Sequence, residues 1–234
     1  MTAERYVLVE GLRSTRSVLS EWNGHPWRTI GAWTALSLGI AAALLYSVYA
    51  VAKFSIPDPM ESTVAGINRP AAGWGDAKVI LFRNSLVIAL HAMVCVAVFI
   101  ATSTMPQVSA GMSALWRRVH DLSGTLAIVF VTCATLFSLV TQAYALGRGA
   151  SDMSALLGTR PSWLLITLLP HALPELTAVF LPLGACLIIT ARRRNHQLLA
   201  ATFVTVAIGF PVLVATAVVE VWFTPLLIDR LVCC

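Results

Sequence analysis

Residues 30–52, IGAWTALSLGIAAALLYSVYAVA, carry no charged side chain. A hydrocarbon layer of about 30 Å is crossed by a helix of roughly 20 apolar residues. Runs of that kind recur at about 80–101, 122–144, 163–190 and 198–227. Of the 234 residues, 58% are hydrophobic and only 12% are charged, against about 25% charged in a soluble domain. A soluble fold of this size has too little interior for so much apolar surface. Disorder is excluded, because disordered chains are poor in apolar residues. The expected fold is all-α: a polytopic membrane helical bundle of about five transmembrane helices, with the lipid bilayer as its surroundings.

Residues 1–28 lack the apolar stretch of a signal peptide and hold Glu4, Arg5, Glu10, Arg13, Arg16, Glu21 and Arg28. On a helical wheel, Val7, Leu8, Leu12, Val18, Leu19 and Trp22 share one arc. Arg5, Glu10, Arg13 and Arg16 lie opposite. The pattern predicts a cytoplasmic amphipathic helix over 1–28 that lies on the membrane surface, the alternative being a helix packed on a partner or on the bundle's own base. A transmembrane domain over 29–234 follows. Its first loop, 53–78, is rich in Pro and Gly (Pro57, Pro59, Gly66, Pro70, Gly73, Gly75). Asp121 stands where it would cap the third span. Pro170, Pro174 and Pro182 fall inside the fourth span, and Pro211 and Pro225 inside the fifth. Interior prolines kink a helix and free carbonyls that neighbours must satisfy.

The net charge of +5 does not imply nucleic acid, because no basic run is interleaved with aromatics. Basic residues here set orientation. The N-terminal side would hold Arg5, Arg13, Arg16, Arg28, Arg117, Arg118 and the Arg192–Arg194 run. The other side would hold Lys53, Arg69, Lys78, Arg83, Arg148, Arg160 and Arg230. Clustered charge in short loops predicts a cytoplasmic N-terminus and an outside C-terminus. The Trp residues fall mostly near span ends, as in an aromatic belt. Cys95, Cys133 and Cys186 sit in apolar runs, and no CxxC occurs. Cys233 and Cys234 at the C-terminus leave acylation or a disulfide open.

Charged groups at bilayer depth are costly, face the bundle interior and mark function. His91, His171, Glu175 and Glu220 are such groups, with Arg83 and Asn84 opening the second span. His171 and Glu175 are four apart and share one helical face. At about 1.5 Å per residue, they and Glu220 lie roughly 12–18 Å from the same membrane surface. The six residues therefore form one expected cluster. It could be a network that locks the helices by mutual satisfaction. It could be a polar cavity that binds a substrate or a partner peptide, or relays protons. It could hold zinc through His171, Glu175 and Glu220 or His91, although HEXXH is absent. No Walker motif, GxSxG or GxGxxG in strand–helix context occurs, and a resident cofactor is not expected.

At these residues the chain resembles the stage II sporulation protein M family. Arg83-Asn84-Ser85 looks like the family's asparagine-bearing helix start. Pro170-His171 followed by Pro174-Glu175-Leu176 is similar to its proline–histidine–glycine…glutamate–leucine signature. Glu220 with Thr224-Pro225 resembles its glutamate…threonine–proline ending. Together these cover about 83–228. The family's glycine after the histidine is Ala172 here, and its paired asparagines are Asn84 and Ser85. The resemblance implies an all-helical membrane protein that works with protein or peptide partners, with oligomers open. Family members act in engulfment during sporulation beside cell-wall enzymes, accompany AAA ATPase and von Willebrand-type proteins, or serve maturation and export of circular bacteriocins. The expected function is a non-enzymatic component of a membrane-associated assembly. The alternative is maturation, export or immunity of a circular peptide, extending to an intramembrane metal-dependent peptidase or ligase.

Overall fold

The computed structural model describes residues 3–58, 73–109 and 114–231; side-chain surroundings are described for Gly11, 13–58, 73–103, Cys133 and 135–230. Within these bounds every regular element is helical and no strand occurs. The chain runs through α1 (Ala3–Asn23), α2 (Pro26–Phe54), α3 (Trp74–Ser109), α4 (Ala114–Leu156) and α5 (Pro161–Ala191). After a 3-10 turn at Asn195–Gln197 come α6 (Leu198–Val218), a π-helical turn (Val219–Phe223) and α7 (Thr224–Leu231). Among the described residues, four stretches are long and apolar enough to cross a membrane: Pro26–Phe54, Trp74–Ser103, Pro161–Ala191 and Asn195–Arg230, with mean hydropathy between 1.9 and 2.4. Many of their large apolar side chains stay exposed, among them Leu38, Tyr46, Phe82, Leu90, Met93, Phe203 and Phe210. Exposed apolar surface on this scale belongs against lipid rather than water. The protein is an α-helical membrane bundle.

Helix α5 is the centre. It packs against α2, α3 and α6, while α4 stands outside against α2. Contacts at Ser37–Phe180 and in the Ala52–Leu164 cluster make α2 antiparallel to α5. Asn84–Glu175 and Cys95–Pro182 make α3 parallel to it. Small residues permit the close approaches. A Cβ on Gly184 would collide with Ser37 Oγ and come within 3.1 Å of the Trp33 carbonyl. A Cβ on Gly209 would collide with Ile88.

Pro182 is buried in the middle of α5. Around it, three neighbouring side chains bond α5 carbonyls: His91 Nδ1 to Val179 at 2.8 Å, Ser37 Oγ to Phe180 at 3.1 Å and Cys95 Sγ to Pro182 at 3.2 Å. A proline removes an intrahelical donor. In a membrane the carbonyls near such a break are kept only where neighbours satisfy them, and here α2 and α3 supply the donors.

Several boundaries differ from the sequence expectation. Helix α3 begins at Trp74, inside the expected loop 53–78, so Arg83 and Asn84 lie in its third turn rather than at its start. The third expected span, 122–144, falls inside the longer α4, which is helical from Ala114. Asp121 is therefore interior to a helix and not its cap. No proline interrupts 114–156, and the backbone continues through the charged turn and through the expected loop after 144. The side chains over 114–132 lie outside the described residues, as do Pro59, Gly66, Pro70, Cys233 and Cys234. Helix α1 places Val18 and Trp22 in a buried cluster with Trp33, Phe99, Ile189 and Leu198. The Val18–Trp22 end of its apolar arc thus packs on the bundle's own base, and the side chains of Val7, Leu8 and Leu12 lie outside the described residues.

Candidate functional site

The expected polar residues of α3 and α5 meet because the two helices run parallel. Asn84 Nδ2 donates to Glu175 Oε1 at 2.8 Å. The other carboxylate oxygen, Glu175 Oε2, is buried and has no hydrogen-bond partner among the described residues. Glu220 lies near enough for its charge to act on Glu175, and Arg83 acts in the same way on Glu220. Four of the six expected residues therefore form one group: Arg83, Asn84, Glu175 and Glu220.

The π turn sets Glu220. Val219–Phe223 is wound one residue wide of an α-helix, and the Thr224 backbone N–H reaches back to the Val219 carbonyl. Pro225 follows at once and brings no N–H. Wide turns of this kind appear as single bulges, often at functional sites. The Thr224 hydroxyl also bonds the Val219 carbonyl, at 3.2 Å, and shares a hydrogen bond of 2.9 Å with His171 Nδ1. His171, only 7% exposed, is thereby tied to the turn that carries Glu220. The indoles of Trp74 and Trp222 meet at 4.6 Å between centroids, their planes tilted by 59°, and join the start of α3 to the same turn.

His91 is not brought to this group. Its Nδ1 faces the Val179 carbonyl, an acceptor, so that nitrogen carries the proton. Its ring lies 5.6 Å from the Phe180 ring. His91 stands two turns along α3 from Asn84, where it satisfies the proline-broken stretch of α5. Thr224, absent from the expected cluster, is the residue that ties His171 to the Glu220 turn. The signal for it was the Thr-Pro pair four residues after Glu220. Among the described residues no three His, Cys, Asp or Glu side chains converge as metal ligands.

Chemically the group is a carboxylate pair within a largely apolar bundle, one member held by an amide donor on one oxygen alone. It can accept a hydrogen bond or hold a proton. Fold and site together define a polytopic helical membrane protein with an intramembrane carboxylate cluster. Comparison with family models, with curated proteins and with solved structures finds no match.

Proposed function

We propose that this protein is a membrane-embedded component of a multiprotein assembly, a divergent relative of the stage II sporulation protein M family, with a cytoplasmic N-terminus and its C-terminus outside the cell membrane. The observation that carries the reading is the unpartnered Oε2 of Glu175. A buried acceptor without a donor costs about 1–3 kcal/mol. A network built only to lock helices gains nothing from leaving it open. A partner helix or peptide segment that brings an N–H or O–H to this oxygen would recover the cost on binding. The cluster is then the point where a partner engages the bundle.

A second reading shares that observation. The donor could belong to a peptide substrate under maturation or export, since a peptide's backbone N–H groups also need acceptors at membrane depth. One experiment bears on both. The full chain and its Glu175→Gln variant are purified in mild detergent from the native host, and bound proteins and peptides are identified by mass spectrometry. A stoichiometric partner that is held by the parent and released by a folded Glu175→Gln supports the proposal. Its identity as a protein subunit or as a peptide precursor separates the two readings. A monodisperse chain with no partner overturns both, and so does a partner that Glu175→Gln retains.

A further inference from the structure

A concave site lies at the base of the bundle, distant from the carboxylate cluster. It is a cavity of about 470 Å³ between the end of α1, the start of α2 and the end of α5. Arg28, Arg192 and Arg194 line it, with Glu21 as the lone carboxylate among its lining residues. Trp22 and Trp33 form an aromatic wall, their rings edge to face at 5.1 Å. Gln197 is 4% exposed yet lines the cavity, and among the described residues no hydrogen bond engages its side-chain amide.

The basic wall is built by an unusual turn. Helix α5 ends with Arg193 in the left-handed region, at φ 56°. The Arg193 N–H bonds the Thr190 carbonyl and the Arg194 N–H bonds the Ile189 carbonyl, both at 3.0 Å. This is a Schellman ending, whose left-handed position is usually glycine. The reversal leaves Arg192 and Arg194 both lining the cavity, while Arg193 does not. Opposite them, α2 begins with Pro26, and the positive end of its dipole lies beside Arg28.

We propose that this cavity binds the phosphate of an anionic phospholipid headgroup. Three guanidinium groups and an unpartnered amide match a phosphodiester in charge and donors, and the positive end of the α2 dipole adds to the charge. The lipid source follows from position. The cavity opens where two apolar spanning helices, Pro26–Phe54 and Pro161–Ala191, meet the membrane surface. Trp22, Trp33 and Ile189 make a buried apolar floor, and the half-buried Ile188 offers apolar surface on the side of the glycerol and acyl ends. Basic pockets between spanning helices are fitted to such headgroups. The assignment is independent of the carboxylate cluster and of the assembly proposed for it.

The test uses the full chain in a neutral detergent. Native mass spectrometry measures retained phosphatidylglycerol against phosphatidylcholine, and thermal melting is followed with each lipid and with inorganic phosphate alone. The expected result is selective retention of phosphatidylglycerol, a rise in Tm with that lipid, and no rise with phosphate alone. Arg192→Gln together with Arg194→Gln should weaken phosphatidylglycerol retention about tenfold, the loss expected when charge-assisted donors are removed. Arg160→Gln, at the opposite end of α5, should leave it unchanged. If the double variant does not fold, Arg28→Gln makes the same comparison. Equal retention of phosphatidylcholine overturns the proposal, as does retention untouched by the arginine changes. A Tm rise with inorganic phosphate equal to that with lipid overturns the lipid source.

Discussion

At the scale of single residues, the bundle depends on a few polar side chains whose partners can be removed one at a time. Interhelical hydrogen bonds in membranes contribute about 0.6 kcal/mol on average and up to about 1.7 kcal/mol. Thr224→Val removes the hydroxyl that joins His171 to the Val219 carbonyl. A loss near the upper end of that range is expected in a detergent unfolding titration, because one change breaks both bonds. Asn84→Ala takes the donor from Glu175 Oε1 and leaves both oxygens without one among the described residues. It should cost about 1–3 kcal/mol, as orphaning a buried acceptor does, and Asn84→Asp should cost more by adding a like charge. A cost below the noise for both would mean that Glu175 finds another donor. Glu175 and Asn84 were legible in the sequence, because charged and amide groups stand out in apolar runs. The unpaired oxygen was not, since it depends on the angle at which two helices meet.

At the scale of elements, close helix approach is decided by single glycines. Gly184 presses its backbone against Ser37 and Trp33 of α2, whereas Gly39 has open space around its Cα. Gly184→Ala should destabilise by about 1–3 kcal/mol through overpacking, and Gly39→Ala should change little. Equal melting temperatures for the two would contradict the α2–α5 packing. The end of α5 offers a test of opposite sign. Arg193 adopts a conformation that costs a non-glycine residue about 1–2 kcal/mol. Arg193→Gly should therefore be neutral or raise the Tm slightly, while Arg193→Val should lower it. The prolines announced that α5 and α6 would be interrupted. They did not say that Pro182 would draw bonds from α2 and α3, or that Pro225 would follow a π turn. Those outcomes depend on which neighbours lie beside each break. Helix ends were the least legible feature, since nothing in 74–79 or 145–156 forbids helix and tertiary packing extends it.

At the scale of the whole molecule, α1, the start of α2 and the Arg192–Arg194 turn share one end of the bundle, and Arg160 lies at the other. With the N-terminus cytoplasmic, single cysteines placed at Arg16 and at Arg193 in a cysteine-free chain should resist a membrane-impermeant thiol reagent in whole cells. A cysteine at Arg160 should react. Labelling of all three alike would contradict the arrangement, and the reverse pattern would keep the fold but invert its orientation. Helix α4 is the outlier in this architecture. It packs beside α2 with Gly147 against Val51 and leaves Leu136, Phe137, Val140 and Tyr144 exposed. That face is open to lipid or to another chain.

What the sequence determined by itself was the solvent and the class of element. Apolar runs long enough to cross a bilayer are destined for lipid, and in lipid a lone segment satisfies its backbone by forming a helix. It also determined which side chains could not face lipid, since the cost of burying charge is a property of the residue. The tertiary structure decided which of those side chains meet. Arg83, Asn84, Glu175 and Glu220 come together and His91 does not, because helix rotation and register follow from packing at Gly184, Gly209 and Pro182. The basal arginine cavity was equally a tertiary outcome. Its arginines read from the sequence only as orientation signals, and a left-handed turn at Arg193 was needed to set two of them facing a third.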